Sequence, residues 1–538
     1  MHDFNELFPS PEEIPESARV LLPLHQREYL VAGEARTWDG PGEEVHSPIC
    51  RPGPDGPRPI PLGSFPLFTA AEATTALDAA VAAWDCGRGR WPTLPVAERI
   101  AHVEEFAHLM VAVREPVVRL LMWEIGKSRA DSEREFDRTV AYIRDTIDAV
   151  KDLDRASSRF TVEQDIIAQI RRAPLGVALC MGPFNYPLNE TFTTLIPALV
   201  MGNTAVVKPP RHGVLLFGPL LDAFRRAFPP GVVNTVYGRG RETMTPLMAS
   251  GKVDVLAFIG TSPAASTLKK AHPRPHRLRC VLGLEAKNPA IVLPDADLDL
   301  AAAECVTGAL SFNGQRCTAL KILFVHRSIA DGFVERLSTR VDGLRAGMPW
   351  EEGVALTPLP EAGKPAYLTG LLDDAAARGA RVVNPGGGAV HGTYFHPAVV
   401  YPVAPGTRLW TEEQFGPVIP VAVFDDVAEP VHYVIESNYG QQVSIFGNDP
   451  RTIATLIDPL VNQVCRINLN SQCQRGPDSF PFTGRKDSAE ATLSVTDALR
   501  VFTIRTLVAA KASAANKRIV TGIVRNRHSS FLATDFIL

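Results

Sequence analysis

One cysteine in the run Leu310-Ser311-Phe312-Asn313-Gly314-Gln315-Arg316-Cys317-Thr318-Ala319 sits among small and polar residues, directly after a cation. A free thiol titrates near ~8.5 and a neighbouring positive charge lowers that value, so Arg316 is expected to favour the reactive thiolate. A thiolate in a loop or at a helix start can act as a covalent nucleophile. Local sequence leaves a second reading open, because unpaired cysteine is among the most buried residue types.

The other seven cysteines, from Cys50 to Cys473, are scattered with no CxxC pair, which argues against a disulfide framework and a structural zinc site. His272 and His276 are four apart, but Pro273 and Pro275 break any shared helical face, and no metal is expected there. Of the 538 residues, 45% are hydrophobic and 21% charged, with a net charge of −4 and a pI near 6.4. Such a balance gives no general attraction for nucleic acid or anionic lipid, so any anion site must be a local cluster. No apolar run is long enough to span a bilayer, and Met1 to Glu6 carry no basic leader, so a cytoplasmic location is expected.

The length predicts two or three domains. Residues 1–66 are rich in proline and glycine and read as an irregular arm with one hairpin. Helical periodicity follows: Ala73, Ala76, Leu77 and Ala80 share a face, as do Ile100, Val103, Phe106 and Met110, and 133–150 is a further amphipathic helix. From Arg172 short apolar runs alternate with helices, with strands at 174–181, 204–208, 232–237 and 255–259 and helices at 188–200, 214–228 and 242–250. That order predicts a parallel sheet covered on both faces, with ligands beyond the carboxyl ends of its strands. The residues just past those ends, 182–186, 208–211, 238–240 and 260–262, are therefore the informative ones. A second α/β pattern runs from Gly283 through strands at 290–293, 322–326 and 398–401 to another at 464–469, and Pro385 to Gly388 read as a turn. The strand at 503–509 is a candidate for extending a sheet into another subunit, a pointer to a homo-oligomer.

Four motifs together resemble the aldehyde dehydrogenase superfamily: Gly182-Pro183-Phe184-Asn185-Tyr186-Pro187, Gly202-Asn203-Thr204 leading to Lys208-Pro209, Asn313-Gly314-Gln315-Arg316-Cys317, and Glu412-Glu413-Gln414-Phe415-Gly416-Pro417. They occur in family order between about residue 70 and residue 510. Gly314 to Ala319, Gln474-Arg475-Gly476 and Phe480-Pro481-Phe482 look like the non-phosphorylating, NADP-dependent glyceraldehyde-3-phosphate dehydrogenases within it. The resemblance implies an α/β fold: a Rossmann-type parallel-sheet cofactor domain (67–155 and 174–282), an α/β catalytic domain (283–470) and a small β oligomerisation element (156–173 and 471–515). The tail 516–538 is left over.

Residue by residue, the resemblance implies that Cys317 attacks the aldehyde carbon, while the Asn185 amide and the Cys317 N–H hold the oxyanion. The family's general base lies in a Glu-Leu-Gly-Gly-Lys run. Here the run is Gly283-Leu284-Glu285-Ala286-Lys287, so Gly283 occupies the glutamate position. Glu285, two residues on and displaced by about 6–7 Å on the same strand face, is taken as the base. Its competing role is a carboxylate paired with Lys287 or another cation. For the cofactor, Lys208, Gly238, Thr261, Glu413 and Phe415 match binding positions. Arg211 stands where NAD-preferring members often carry a glutamate, and a guanidinium suits a 2′-phosphate, so NADP is expected. Tyr186, Arg316, Arg475 and Arg138 match residues that hold a substrate phosphate.

The reading is NADP-dependent oxidation of a phosphorylated aldehyde, foremost glyceraldehyde 3-phosphate, to the acid by a dimer or tetramer. Its rivals are a dehydrogenase of another small anionic aldehyde, such as a semialdehyde, and a non-catalytic homologue keeping the fold for binding or structure.

Overall fold

Runs such as Val177-Ala178-Leu179-Cys180 are fully buried, and this near-continuous apolar character suits strands covered on both faces. In the computed structural model, which describes residues 7–54, 56–535 and 537, five such strands form a parallel sheet. Their spatial order is Val233–Thr235, Thr204–Lys208, Val177–Met181, Val255–Ile259 and Arg279–Gly283. Ala489–Glu490 adds antiparallel to the last of them, so the segment 471–515 contributes an edge to this sheet as well as the strand Thr503–Lys511. Residues 1–6, on which the expectation of no basic leader falls, lie outside the described residues, as do Asp55, Phe536 and Leu538.

A second sheet of seven strands is built around Asn288–Val292, Leu320–His326 and Val418–Phe424. Its strands are parallel apart from Arg381–Val382, which pairs antiparallel at one edge. A third sheet joins Phe160–Glu163, Ile166–Pro174 and Thr503–Lys511 antiparallel. The 29-residue helix Arg129–Ser157 is longer than its periodic stretch suggests, because Ser128 caps it by accepting from Asp131 N–H at 3.2 Å.

The arm is more regular than its proline and glycine content predicts. Gly42–Arg51 pairs with Arg58–Pro66, and Glu28–Val31 pairs with Glu34–Thr37. The second hairpin docks on the edge strand of the cofactor sheet. There Leu30 N–H donates to Thr235 Oγ1 at 2.8 Å, and Ala32 N–H donates to Asn234 Oδ1 at 2.9 Å. Tertiary hydrogen bonds thus order a stretch whose local propensities favour turns, and they cover an edge that would otherwise be open.

Candidate active site

The helix Leu298–Leu310 ends in a tight turn in which Phe312, Asn313 and Gly314 all take left-handed backbone angles (φ 49°, 54° and 71°). Asn313 secures this turn through its side chain, donating to Thr357 Oγ1 at 2.9 Å and accepting from Thr357 N–H at 3.0 Å. Gly314 has no substitute here. A Cβ would lie 2.6 Å from the Gly416 carbonyl oxygen and 2.7 Å from that of Ala309. The turn is thereby pressed against the Glu412–Gly416 loop, and Cys317 follows it into a cavity of about 1190 Å³ between the two large sheets.

The loop after the strand Val177–Met181 brings Asn185 to the same place. Its side-chain amide donates to the Gln315 carbonyl at 2.8 Å, two residues before Cys317, and the second amide hydrogen is left for another acceptor. A buried ion pair that sequence reasoning missed holds this loop from behind. Lys127 pairs with Glu135 and donates to the Asn185 carbonyl at 2.7 Å, with its ammonium 3.6 Å over the Tyr186 ring. Glu135 Oε1 accepts from the N–H groups of Leu188 and Asn189 at 3.0 and 3.1 Å, where the helix Asn189–Val200 begins. Nothing in the sequence around Lys127 distinguishes it from a surface lysine.

Cys317 departs from the electrostatic expectation. Burial pushes its thiol up to about 11, and the Glu190 carboxylate adds to the rise against the opposing charges of Arg475 and Lys321. Arg316 does not supply the expected activation. Its guanidinium donates to the Gly308 carbonyl at 3.0 Å and to Gln472 Oε1 at 3.3 Å. The residue after a cation in sequence need not face it, since successive side chains diverge in an irregular loop.

Glu285 lines the cavity with Cys317, but its carboxylate is turned toward the start of the helix Ser262–Ala271. Both oxygens accept from Ser262 N–H, at 3.0 and 2.8 Å, and Oε2 accepts from the Ser262 hydroxyl at 2.5 Å. An ion pair with Lys287 is excluded as its role. Lys287 donates instead to the Glu412 carbonyl at 2.6 Å and to Gln414 Oε1 at 2.7 Å. Thr261 is the cap residue of that helix, so the first-turn N–H expected to meet an anion already meets one from the same chain. Glu413, by contrast, is fixed at the cavity wall: it accepts from Lys321 Nζ at 2.9 Å and from Ala286 N–H at 3.3 Å. Lys321 also lies 4.6 Å over the Phe415 ring. A lone lysine in the otherwise apolar strand Leu320–His326 was the signal that could have revealed it.

Tyr186, Arg138, Arg316 and Arg475 all line the large cavity. Two of the arginines have acidic partners that sequence reasoning missed. Arg138 makes a two-pronged pair with Asp478 at 2.8 and 2.7 Å; Arg475 pairs with Glu190 and lies 3.5 Å from Asp478. Among the described residues, Arg316 Nε is buried without a hydrogen-bond partner.

A smaller cavity of about 230 Å³ adjoins through Arg211 and contains Lys208 and Gly238. Burial pushes Lys208 down to about 8, opposed by the Glu43 carboxylate. Gly238, with φ 100°, is required by the Phe68 backbone nitrogen, which would lie 2.9 Å from a Cβ. The glycine therefore accommodates the chain itself, whatever it also permits to a ligand. Glu43, from the arm strand Gly42–Arg51, pairs with Arg211 Nη2 and Arg239 Nε, each at 2.9 Å.

Two α/β sheets with a cysteine and an amide in the cavity between them form an architecture suited to thiol chemistry. The aldehyde dehydrogenase family model matches residues 58–508, and the chain belongs to that family. It is 34% identical to the NADP-dependent glyceraldehyde-3-phosphate dehydrogenase of Streptococcus equinus, over 82% of this chain and 91% of the relative. An aminoaldehyde dehydrogenase of Arabidopsis thaliana is 27% identical over 84% of this chain and 90% of its own. The crystal structure of the NADP-dependent glyceraldehyde-3-phosphate dehydrogenase of Bacillus halodurans C-125, complexed with NADP, superposes with a TM-score of 0.83. That match has 31% identity and covers 91% of this chain and all of the other.

Proposed function

We propose that the protein is an NADP-dependent aldehyde dehydrogenase whose substrate is a small phosphorylated aldehyde, foremost glyceraldehyde 3-phosphate. The observation that carries the proposal is what lines the two adjoining cavities. Arg138, Arg316 and Arg475 line the larger one together with Cys317 and Asn185, Lys208 lines the smaller, and Arg211 lines both. Cations thus stand in both, and the candidate nucleophile stands in the larger.

The Cys317 thiol first gives its proton to water; the thiolate sulfur then bonds the aldehyde carbon, and the oxygen becomes an alkoxide facing the free Asn185 amide hydrogen and the Cys317 N–H. The carbon then gives up a hydride and becomes a thioester, which water hydrolyses to the acid and the free thiol. NADP, when bound, supplies the hydride acceptor. Lys208 and Arg211 would hold its adenosine end and Glu413 and Phe415 its nicotinamide end. The residues fit such a group: Lys208, Arg211 and Arg239 around one cavity are countered there by Glu43 alone, leaving room for a dianionic phosphate.

Deacylation needs a base for the water. Glu285 fills that role in this proposal after leaving Ser262. Glu285→Gln is then expected to release about one equivalent of NADPH per subunit in a burst, followed by slow turnover. Unchanged steady turnover would transfer the role to another carboxylate of the cavity, with Glu190 the first candidate.

A second reading has its own observation. Glu190 and Asp478 put two carboxylates beside the substrate-end arginines, which would suit an aldehyde carrying an ammonium group. Comparing kcat/KM for glyceraldehyde 3-phosphate, a semialdehyde and 3-aminopropanal separates the cases. The phosphate reading expects the first to win and to lose about 100-fold or more in Arg475→Ala. A preference for 3-aminopropanal that disappears in Glu190→Gln would replace it.

A further inference from the structure

The smaller cavity has more charge than Lys208 and Arg211 explain. Arg239, the cap residue of the helix Gly240–Ala249, directs its guanidinium to the same carboxylate that Arg211 meets. That carboxylate comes from the arm: Glu43 and Arg239 are 196 residues apart in the chain. Both oxygens of Glu43 are engaged, one by each arginine, at 2.9 Å. The exposures differ in a way that assigns roles. The Glu43 side chain is 11% exposed and fixed, whereas those of Arg211 and Arg239 are 70% and 60% exposed and free to turn. Each guanidinium has a single ion-pair contact to Glu43 and keeps its remaining N–H groups for another acceptor.

Among the residues lining the cavity, three cations and one carboxylate leave an excess of two positive charges, the charge that a phosphate monoester dianion would neutralise; Glu242 acts on Arg239 from outside the lining. We propose that Arg239 is a second guanidinium for the 2′-phosphate of NADP and that Glu43 is the resident counterion which that phosphate displaces. The inference rests on the NADP reading and extends it. The arm hairpin thereby enters cofactor selection. Glu43 keeps the two arginines at the cavity when no dinucleotide is present, and it weakens the 2′-phosphate contact by competing for the same donors.

The test is binding, by calorimetry on the full chain, of 2′,5′-ADP and of 5′-ADP, which lacks the 2′-phosphate. The quantity read is the ratio of the two Kd values. Arg239→Ala is expected to lower the preference for 2′,5′-ADP about tenfold, the worth of one charge-assisted hydrogen bond, while leaving 5′-ADP binding within about twofold. Glu43→Gln keeps an acceptor oxygen but removes the charge, and it is expected to raise the preference about three- to tenfold at low salt. An unchanged ratio in Arg239→Ala would remove that residue from the phosphate site. A ratio that stays level or falls in Glu43→Gln would remove the competing-counterion role. Equal affinity of the wild-type chain for both ligands would overturn the NADP reading itself, a result distinguishable from either failure.

Discussion

At the scale of single residues, Cys317 begins as a poor nucleophile. Its thiol is held up near 11 by burial and by Glu190, so the thiolate fraction in the free protein rises about tenfold per pH unit through the neutral range. Alkylation of Cys317 by iodoacetamide, followed by peptide mass spectrometry, should therefore accelerate about 100-fold between pH 7 and pH 9. A rate that levels off by pH 8 would contradict the buried-thiol account. Asn185 gives a second expectation. Among the described residues, its side-chain amide makes one hydrogen bond, to the Gln315 carbonyl. Asn185→Ala should consequently lower kcat by about 10²- to 10³-fold, the usual loss for one oxyanion donor, with little change in folding.

At the scale of elements, the loop that carries Asn185 is held by a charge pair that is fully shielded from water. Lys127 and Glu135 both have side chains at 0% exposure, and between them they engage the Asn185 carbonyl and the first N–H groups of the helix Asn189–Val200. Removing one partner leaves the other charge buried, which costs about 3–5 kcal/mol. Lys127→Met should show that loss in urea unfolding, together with slower burst-phase NADPH formation as the loop shifts Asn185. Unaltered stability would mean that the pair is not the brace it looks to be. The arm hairpins are elements of the same importance: one covers the open edge of the five-stranded parallel sheet, and the other brings Glu43 to the smaller cavity.

At the scale of the whole molecule, the candidate site lies in the cleft between the two large sheets. The third sheet does something else. Its strand Thr503–Lys511, at a sheet edge, exposes Ile504 and Val508 by 53% and 41% in a row on one face and Leu507 by 57% on the other. Such a row is expected to be covered by a second copy of the chain. Light scattering should then report a dimer or tetramer, and Leu507→Asp combined with Ile504→Asp should reduce the mass toward that of a monomer. A wild-type mass of 58.4 kDa would remove this expectation.

Much of the fold was legible because the strands of a doubly covered sheet must be apolar throughout. Thr204–Lys208, Val255–Ile259 and Ala398–Tyr401 were bounded correctly from composition alone, for that reason. The arm was not, because its order comes from hydrogen bonds to Thr235 and Asn234 rather than from its own propensities. The sequence by itself determined the family, and it named Cys317, Asn185, Arg138, Arg316 and Arg475 among the residues that line the cleft, since motifs at strand ends must project there. Tertiary structure alone decided which charges meet. Glu43 with Arg211 and Arg239, Glu190 with Arg475, Glu285 with Ser262 and Lys127 with Glu135 depend on directions taken by side chains in folded space. Ionic and hydrogen-bond energies fall off within a few ångströms, so spacing along the chain says nothing of them until the chain is folded.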